Sequence, residues 1–130
     1  FLANFYAASM FRVPVVFVAG DQGLSLEIQE FNSKIHTFST KEGVGDSVIS
    51  LSPRLVQRKI KEGVKQALSQ DLNSYLQSHP EHFLIELHFK TPTRAYRAAQ
   101  YPGVKTVRPQ VVSFESNDYA EILKMLLFTV

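Results

Sequence analysis

Residues 13–31 read Val-Pro-Val-Val-Phe-Val-Ala-Gly-Asp-Gln-Gly-Leu-Ser-Leu-Glu-Ile-Gln-Glu-Phe, and this stretch decides the fold class. Val15 to Ala19 is a continuous β-branched and aromatic run, the pattern of a strand buried on both faces. Gly20-Asp21 punctuates its end. Beyond it Leu24, Ile28 and Phe31 recur at helical spacing, which predicts a helix over 22–31 with Asp21 as its N-cap. Upstream, Phe5, Ala8 and Ser9 among small alanines predict a helix over 3–12, which Pro14 stops.

Working outward, Ile35, Thr37 and Ser39 alternate with Lys34, His36 and Phe38, predicting a strand over 34–40. Lys41 to Asp46 reads as a glycine-bearing loop and Val48 to Leu51 as a short extended piece. Ser52-Pro53 starts a helix over 53–69, with Ser52 as cap and an apolar stripe of Val56, Ile60, Val64, Ala67 and Leu68. A short turn is expected within 71–77, then a half-buried strand over 82–90 with Phe83, Ile85, Leu87 and Phe89 on one face. Pro92 opens a short helix that Tyr101-Pro102-Gly103 ends, and Val111, Val112 and Phe114 form a last strand. In the closing helix Asp118 and Glu121 suit a capping box, and Tyr119, Ile122, Leu123, Leu126 and Leu127 form the inward stripe. Alternating helices and strands place the chain in the α/β class, with α+β as the alternative.

Composition bounds the function. The 130 residues are 45% hydrophobic and 20% charged, and 14 Lys and Arg against 12 Asp and Glu leave a net charge of +2. That size suits a single domain, and that balance gives no ground for a nucleic-acid partner. No cysteine is present, which excludes disulfides, thiolate metal sites and a cysteine nucleophile, and fits a cytoplasmic protein. The longest apolar run near the start, Val13 to Ala19, falls short of the roughly 20 residues of a membrane helix, so no membrane partner is expected.

Three groups of residues invite chemistry. His82, Glu86 and His88 share one strand face and carry zinc-ligating atoms. A solvent-facing side of an antiparallel sheet shows the same pattern, and three ligands strung along one strand span too far for tetrahedral closure. Gly43 and Gly45 let backbone approach a ligand, although the Gly-Lys-Ser/Thr ending of a P-loop is missing, which leaves anion or nucleotide binding as a weak third reading. Arg54, Arg58, Lys61 and Lys65 form a basic helix face, diluted by Glu62, that reads as solvated. No Ser-His-Asp or Gly-x-Ser-x-Gly signature appears.

Five segments in order resemble one family. Asn4 to Asp21 looks like the Asn-helix-Val-Pro-Val-strand-Ala-Gly-Asp segment of the zinc-dependent D-aminopeptidases of the DppA type. Lys41-Glu42-Gly43-Val44-Gly45 is similar to its Lys-x-Gly-x-Gly loop, and Ser50-Leu51-Ser52-Pro53 to its Ser-Leu-x-Pro helix start. Pro102-Gly103-Val104 and the run Val112 to Tyr119 resemble its closing segments. Where the family loop continues with arginine, this chain has Asp46.

The resemblance implies the second half of a two-part metallopeptidase fold. It implies a homo-oligomeric enzyme that removes N-terminal residues from short peptides with two zinc ions per full-length subunit. The ligands it implies lie outside residues 1–130, so no metal ligand and no catalytic residue is carried over, and the 130 residues alone are expected to be inactive. They would be the C-terminal portion of a longer chain, pairing with a missing N-terminal half and supplying packing, oligomer contacts and part of the substrate chamber. Asn4, Lys41 and Glu42 are the candidate pocket-lining residues. The alternative is a catalytically inactive binding or assembly module of the same fold.

Overall fold

The computed structural model describes residues 1–76 and 78–130. In chain order the elements are α1 (Leu2–Met10), β1 (Phe17–Asp21), α2 (Gln22–Phe31), β2 (His36–Val44), β3 (Ser47–Ser50), α3 (Pro53–Leu68), a 3-10 turn (Leu72–Tyr75), β4 (Phe83–His88), α4 (Pro92–Ala98), β5 (Lys105–Arg108), β6 (Val111–Ser116) and α5 (Tyr119–Thr129). They form two compact units, one of Phe1 with residues 11–77 and one of residues 2–10 with 78–130. Helices and strands mix in both, around two small sheets.

The first unit holds a sheet of order β1-β2-β3, with β1 and β2 parallel and β2 and β3 antiparallel. Because parallel strands need a crossover, α2 connects β1 to β2 and packs on both. Its N-cap is Asp21, whose Oδ1 accepts from the Leu24 backbone N–H at 2.8 Å. Ile28 of this helix, Ile35 just before β2 and Ala67 of α3 are fully buried. Gly63 lies against the Phe17 ring, so closely that any Cβ there would collide with Cε2. α3 starts at Pro53 as expected, but Ser52 makes no side-chain cap bond. Proline at the first helical position already removes one of the unpaired N–H groups. Arg54, Arg58, Lys61 and Lys65 are exposed, and Arg58 and Lys59 both reach Glu62, at 4.0 and 3.2 Å.

Three expectations for this unit change. β1 is half-buried rather than enclosed on both faces, because it is the end strand of its sheet. Residues 41–44 are strand, not loop: they extend β2 and pair with β3. Leu68 is exposed, since α3 ends there with its inward face closed by Ala67.

In the second unit an antiparallel sheet of order β4-β6-β5 packs against α5, with α4 on β6 and α1 on α5. Phe114, Tyr119, Ile122 and Met125 form its core, joined by Phe83, Ile85 and Leu87 from β4 and by Tyr6, Ala7 and Met10 from α1. β4 alternates half-buried and exposed as its period-two pattern predicts. Ala95, Ala98 and Val112 make a smaller cluster under α4. Burial, then the nearby Tyr6 phenol, holds the Tyr119 phenol above its ordinary value.

Here too the structure corrects the pattern. β5 is an edge strand whose four residues are all exposed, so no alternation announces it. Asp118 does cap α5, accepting from the Ala120 N–H at 2.8 Å. The capping box is not made: the Asp118 N–H donates to Ser116 Oγ, and Glu121 pairs with Lys124 at 3.6 Å. Leu127 is 79% exposed, and Met125 takes the inward position. No helix among the described residues is long and apolar enough to cross a membrane.

Candidate functional site

In sheets with parallel strands, ligands bind beyond the carboxyl ends of those strands. That end of the β1–β2 pair is built from polar side chains. Ser25, in the second turn of α2, is buried and donates to the Asp21 carbonyl at 3.0 Å, and Ser39 of β2 donates to Ser25 Oγ at 3.0 Å. The next residue, Thr40, is a bulge: Gly20 pairs with Ser39 and Asp21 with Lys41, so Thr40 is the extra residue. Its hydroxyl donates to the Gly20 carbonyl at 2.9 Å, and its own carbonyl accepts from Leu51.

Past the bulge β2 continues beyond the end of β1 as one arm of a hairpin with β3. The turn is Gly45-Asp46, flanked by the Val44–Ser47 pair. Gly45 has φ +57, the left-handed value that the first central position of a two-residue II′ turn needs. Glycine is therefore read here as hairpin chemistry. Gly43 sits within a strand, and no phosphate-cradling loop exists in this segment.

A cavity of about 150 Å³ lies at the root of the hairpin, lined by Gln22, Ser39, Lys41, Glu42, Ile49 and Leu51. Two of the three residues singled out from the sequence, Lys41 and Glu42, are thus brought together. Gln22, Ser39, Ile49 and Leu51 were not legible as lining, because only strand pairing brings residues 22, 39 and 49–51 to one place. Asn4 belongs to the other unit, where it is exposed on α1. The cavity presents one cation, one anion and two neutral hydrogen-bonding side chains. That is binding chemistry, without a nucleophile and base in contact.

The second unit has a cavity of about 430 Å³ at the β5–β6 turn, lined by His88, Phe89, Arg108, Pro109, Gln110 and Val111. It is the larger, but it lies at the turn of an antiparallel edge, away from any parallel-strand end.

The set His82, Glu86 and His88, at the start of and along β4, does not assemble. His82 Nδ1 is 2.8 Å from Asn117 Oδ1, and its Nε2 is 3.7 Å from Glu115. His88 Nε2 instead lies 3.5 Å from Glu86. Lys105 holds Glu115 at 2.5 Å, and this hydrogen bond and charge keep the Glu115 carboxyl below its ordinary value. Strand rise separates the two ends of the face, and each imidazole finds its own local partner. Among the described residues no group of three or more His, Cys, Asp or Glu side chains could hold a metal ion.

Residues 1–128 match a family model described as peptidase M55, D-aminopeptidase. The chain belongs to the D-aminopeptidase family. A curated relative, the D-aminopeptidase of Bacillus subtilis (strain 168), is 28% identical over 127 residues, which are 95% of this chain and 46% of the relative. A solved structure, described as the Zn-dependent D-aminopeptidase DppA from Bacillus subtilis, a self-compartmentalizing protease, superposes with a TM-score of 0.81 at 25% identity. The match covers 98% of this chain and 48% of that one. This D-aminopeptidase-family chain therefore spans about half the length of the relatives it matches, and its mixed helices and strands reproduce that half of the relative's fold.

Proposed function

We propose that these residues are the C-terminal part of a zinc-dependent D-aminopeptidase that hydrolyses N-terminal residues from short peptides. The observation that carries this reading is the family match over residues 1–128, with nearly the whole chain superposing on half of a Zn-dependent relative. The residues described here do not fit a zinc ion, so its ligands are assigned to the part of the whole protein outside them. The share of residues 1–130 is packing, contacts between copies, and a wall of the substrate chamber. At that wall Lys41 suits a peptide carboxylate and Glu42 a peptide ammonium, while Gln22 and Ser39 suit main-chain amides. Asn4 is a candidate for a separate stretch of the wall. The absence of cysteine fits a reducing compartment, and a cytoplasmic location belongs to the proposal.

The test is hydrolysis of D-aminoacyl anilides by the full-length protein, with L-enantiomers alongside and zinc quantified on the same sample. Release from D-substrates by zinc-bearing full-length protein, with neither zinc nor activity in residues 1–130 alone, is expected. Full-length protein that binds zinc but cleaves neither enantiomer would overturn the enzyme and leave an assembly or binding module.

A further inference from the structure

The turn Arg108-Pro109-Gln110-Val111 closes the cavity of about 430 Å³ whose other walls are His88 and Phe89. Strand register explains how they meet. Val111 of β6 is paired with His88 of β4 on one side and with Arg108 of β5 on the other. Directly opposed residues of antiparallel strands share a face, so the three stand in one row. The next residue, Val112, packs under α4, so the row lies on the face turned away from that helix. β5 reaches the row through an irregularity. Thr106 pairs with Val112 and Arg108 with Val111, which leaves Val107 as the extra residue. Without that bulge Val107 would stand opposite Val111. The bulge puts an arginine there instead, as bulges do where a side chain has to be re-aimed.

The chemistry of the walls selects a ligand. Arg108 has no ion-pair partner among the described residues, and no lining residue is acidic. Glu86, two residues along β4, lies 3.5 Å from His88 Nε2, so it answers the histidine and leaves the guanidinium open to a ligand. Gln110 pins the turn to the end of β4: its Nε2 donates to the Lys90 carbonyl at 3.0 Å, and its backbone carbonyl accepts from the Phe89 N–H at 2.8 Å. Its Oε1 is left to accept. Val111, 6% exposed, is an apolar floor, with Phe89 and Pro109 beside it. The volume falls within the roughly 300–1,000 Å³ of small-molecule sites.

We propose that this cavity binds an N-acyl amino acid with an apolar side chain, either free or as the C-terminal residue of a peptide. Arg108 takes the carboxylate as a bidentate pair. Gln110 Oε1 accepts the amide N–H, and the apolar side chain covers Val111 against Phe89 and Pro109. A bare inorganic anion would leave those apolar walls unused. The site draws on none of the residues at the hairpin root and does not depend on the peptidase reading.

The test is equilibrium dialysis of the full-length protein against both enantiomers of N-acetylphenylalanine, whose blocked amine keeps it from serving as an aminopeptidase substrate. Wild type and Lys41→Met should bind alike, and Arg108→Gln, folded by circular dichroism, should bind at least roughly tenfold more weakly. N-acetylphenylalaninamide, which lacks the carboxylate, should lose as much on wild type. A peptide ending in phenylalanine that binds more tightly makes a peptide terminus the source, and equal binding makes it the free N-acyl amino acid; either supports the site. No binding to wild type overturns the proposal, as does an Arg108→Gln protein that binds like wild type. So does a loss in Lys41→Met, which moves the carboxylate to the hairpin root, or inorganic phosphate binding as tightly as N-acetylphenylalanine. If Arg108→Gln fails to fold, hydrogen exchange of the wild type decides. Protection of residues 105–111 by N-acetylphenylalanine supports the site, and protection only elsewhere, or none, overturns it. Hydrolysis of D-aminoacyl anilides, read separately, decides the enzymatic reading, so the two fail independently.

Discussion

The hydroxyl of Tyr119 donates to the backbone carbonyl of Ala3 at 2.9 Å, joining the first helix to the last across 116 residues of sequence. Tyr119 is 6% exposed, and its ring packs on Tyr6 and Phe83 at centroid distances of 5.7 and 4.7 Å. Tyr119→Phe keeps the ring and deletes the bond, which should cost about 1 kcal/mol. The phenol's raised value adds a pH dependence. The folded state holds this proton more tightly than the unfolded chain, so stability is complete below pH 10.0, the ordinary value, and falls as pH rises through the higher folded value. Urea midpoints from pH 8 to 11 should decline for wild type, and Tyr119→Phe should lose that part of the decline. Parallel curves would show that Tyr119 does not titrate differently in the folded state.

Asp21 is a helix cap in the structure, with a single side-chain bond to the Leu24 N–H. Asp21→Ala should cost about 1 kcal/mol, whereas Asp21→Asn retains an accepting oxygen and most of the stability. Thermal melts of the pair check this. If Asn falls as far as Ala, the carboxylate charge has a role beyond capping.

Gly63→Ala sets two effects in opposition. Alanine gains up to about 1 kcal/mol of helix propensity. Its Cβ would collide with the Phe17 ring of β1, and forcing packed elements apart costs roughly 1–3 kcal/mol. The collision should win, giving a lower urea midpoint that a smaller residue at position 17, such as Phe17→Leu, partly restores. A Gly63→Ala protein more stable than wild type would mean that α3 lies further from β1.

Lys41 lines the cavity at the hairpin root beside Glu42. If the proposed function holds, Lys41→Met in the full-length protein should raise KM for a D-aminoacyl dipeptide by roughly tenfold, about 1.4 kcal/mol of binding, with kcat little changed. The same variant should lose less with an anilide, which has no terminal carboxylate. Equal losses on both substrates would remove Lys41 from carboxylate recognition.

Much of the fold was legible wherever one short segment carries its own instructions. The helix over 22–31 and its Asp21 cap, the start of α3 at Pro53 and the alternation of β4 all rest on local spacing. What escaped depends on partners distant in sequence. Residues 41–44 look like a loop because Gly43 has no side chain to signal a strand, and only pairing with β3 extends them. β5 is exposed along its length and exists through its bonds to β6. The same limit applies to the site. Lys41 and Glu42 were found through resemblance, while Gln22 and Ser39 meet them only once α2 and β2 are folded together.

The extra residue at Thr40 sets the phase of everything beyond it. Side chains of a strand alternate between faces, and a bulged residue absorbs the insertion, so odd and even positions exchange faces at Thr40 while the pairing with β1 continues. Body and arm of β2 therefore run on opposite parity, and the Thr40–Gly20 bond fixes where the change occurs. Deleting Thr40 would make Ser39 and Lys41 direct neighbours on the opposite faces they already occupy, so the arm would keep its faces while β2 lost its bulge and the bond to Gly20. The bend and twist with which the arm leaves the body of the sheet thus rest on one uncharged threonine.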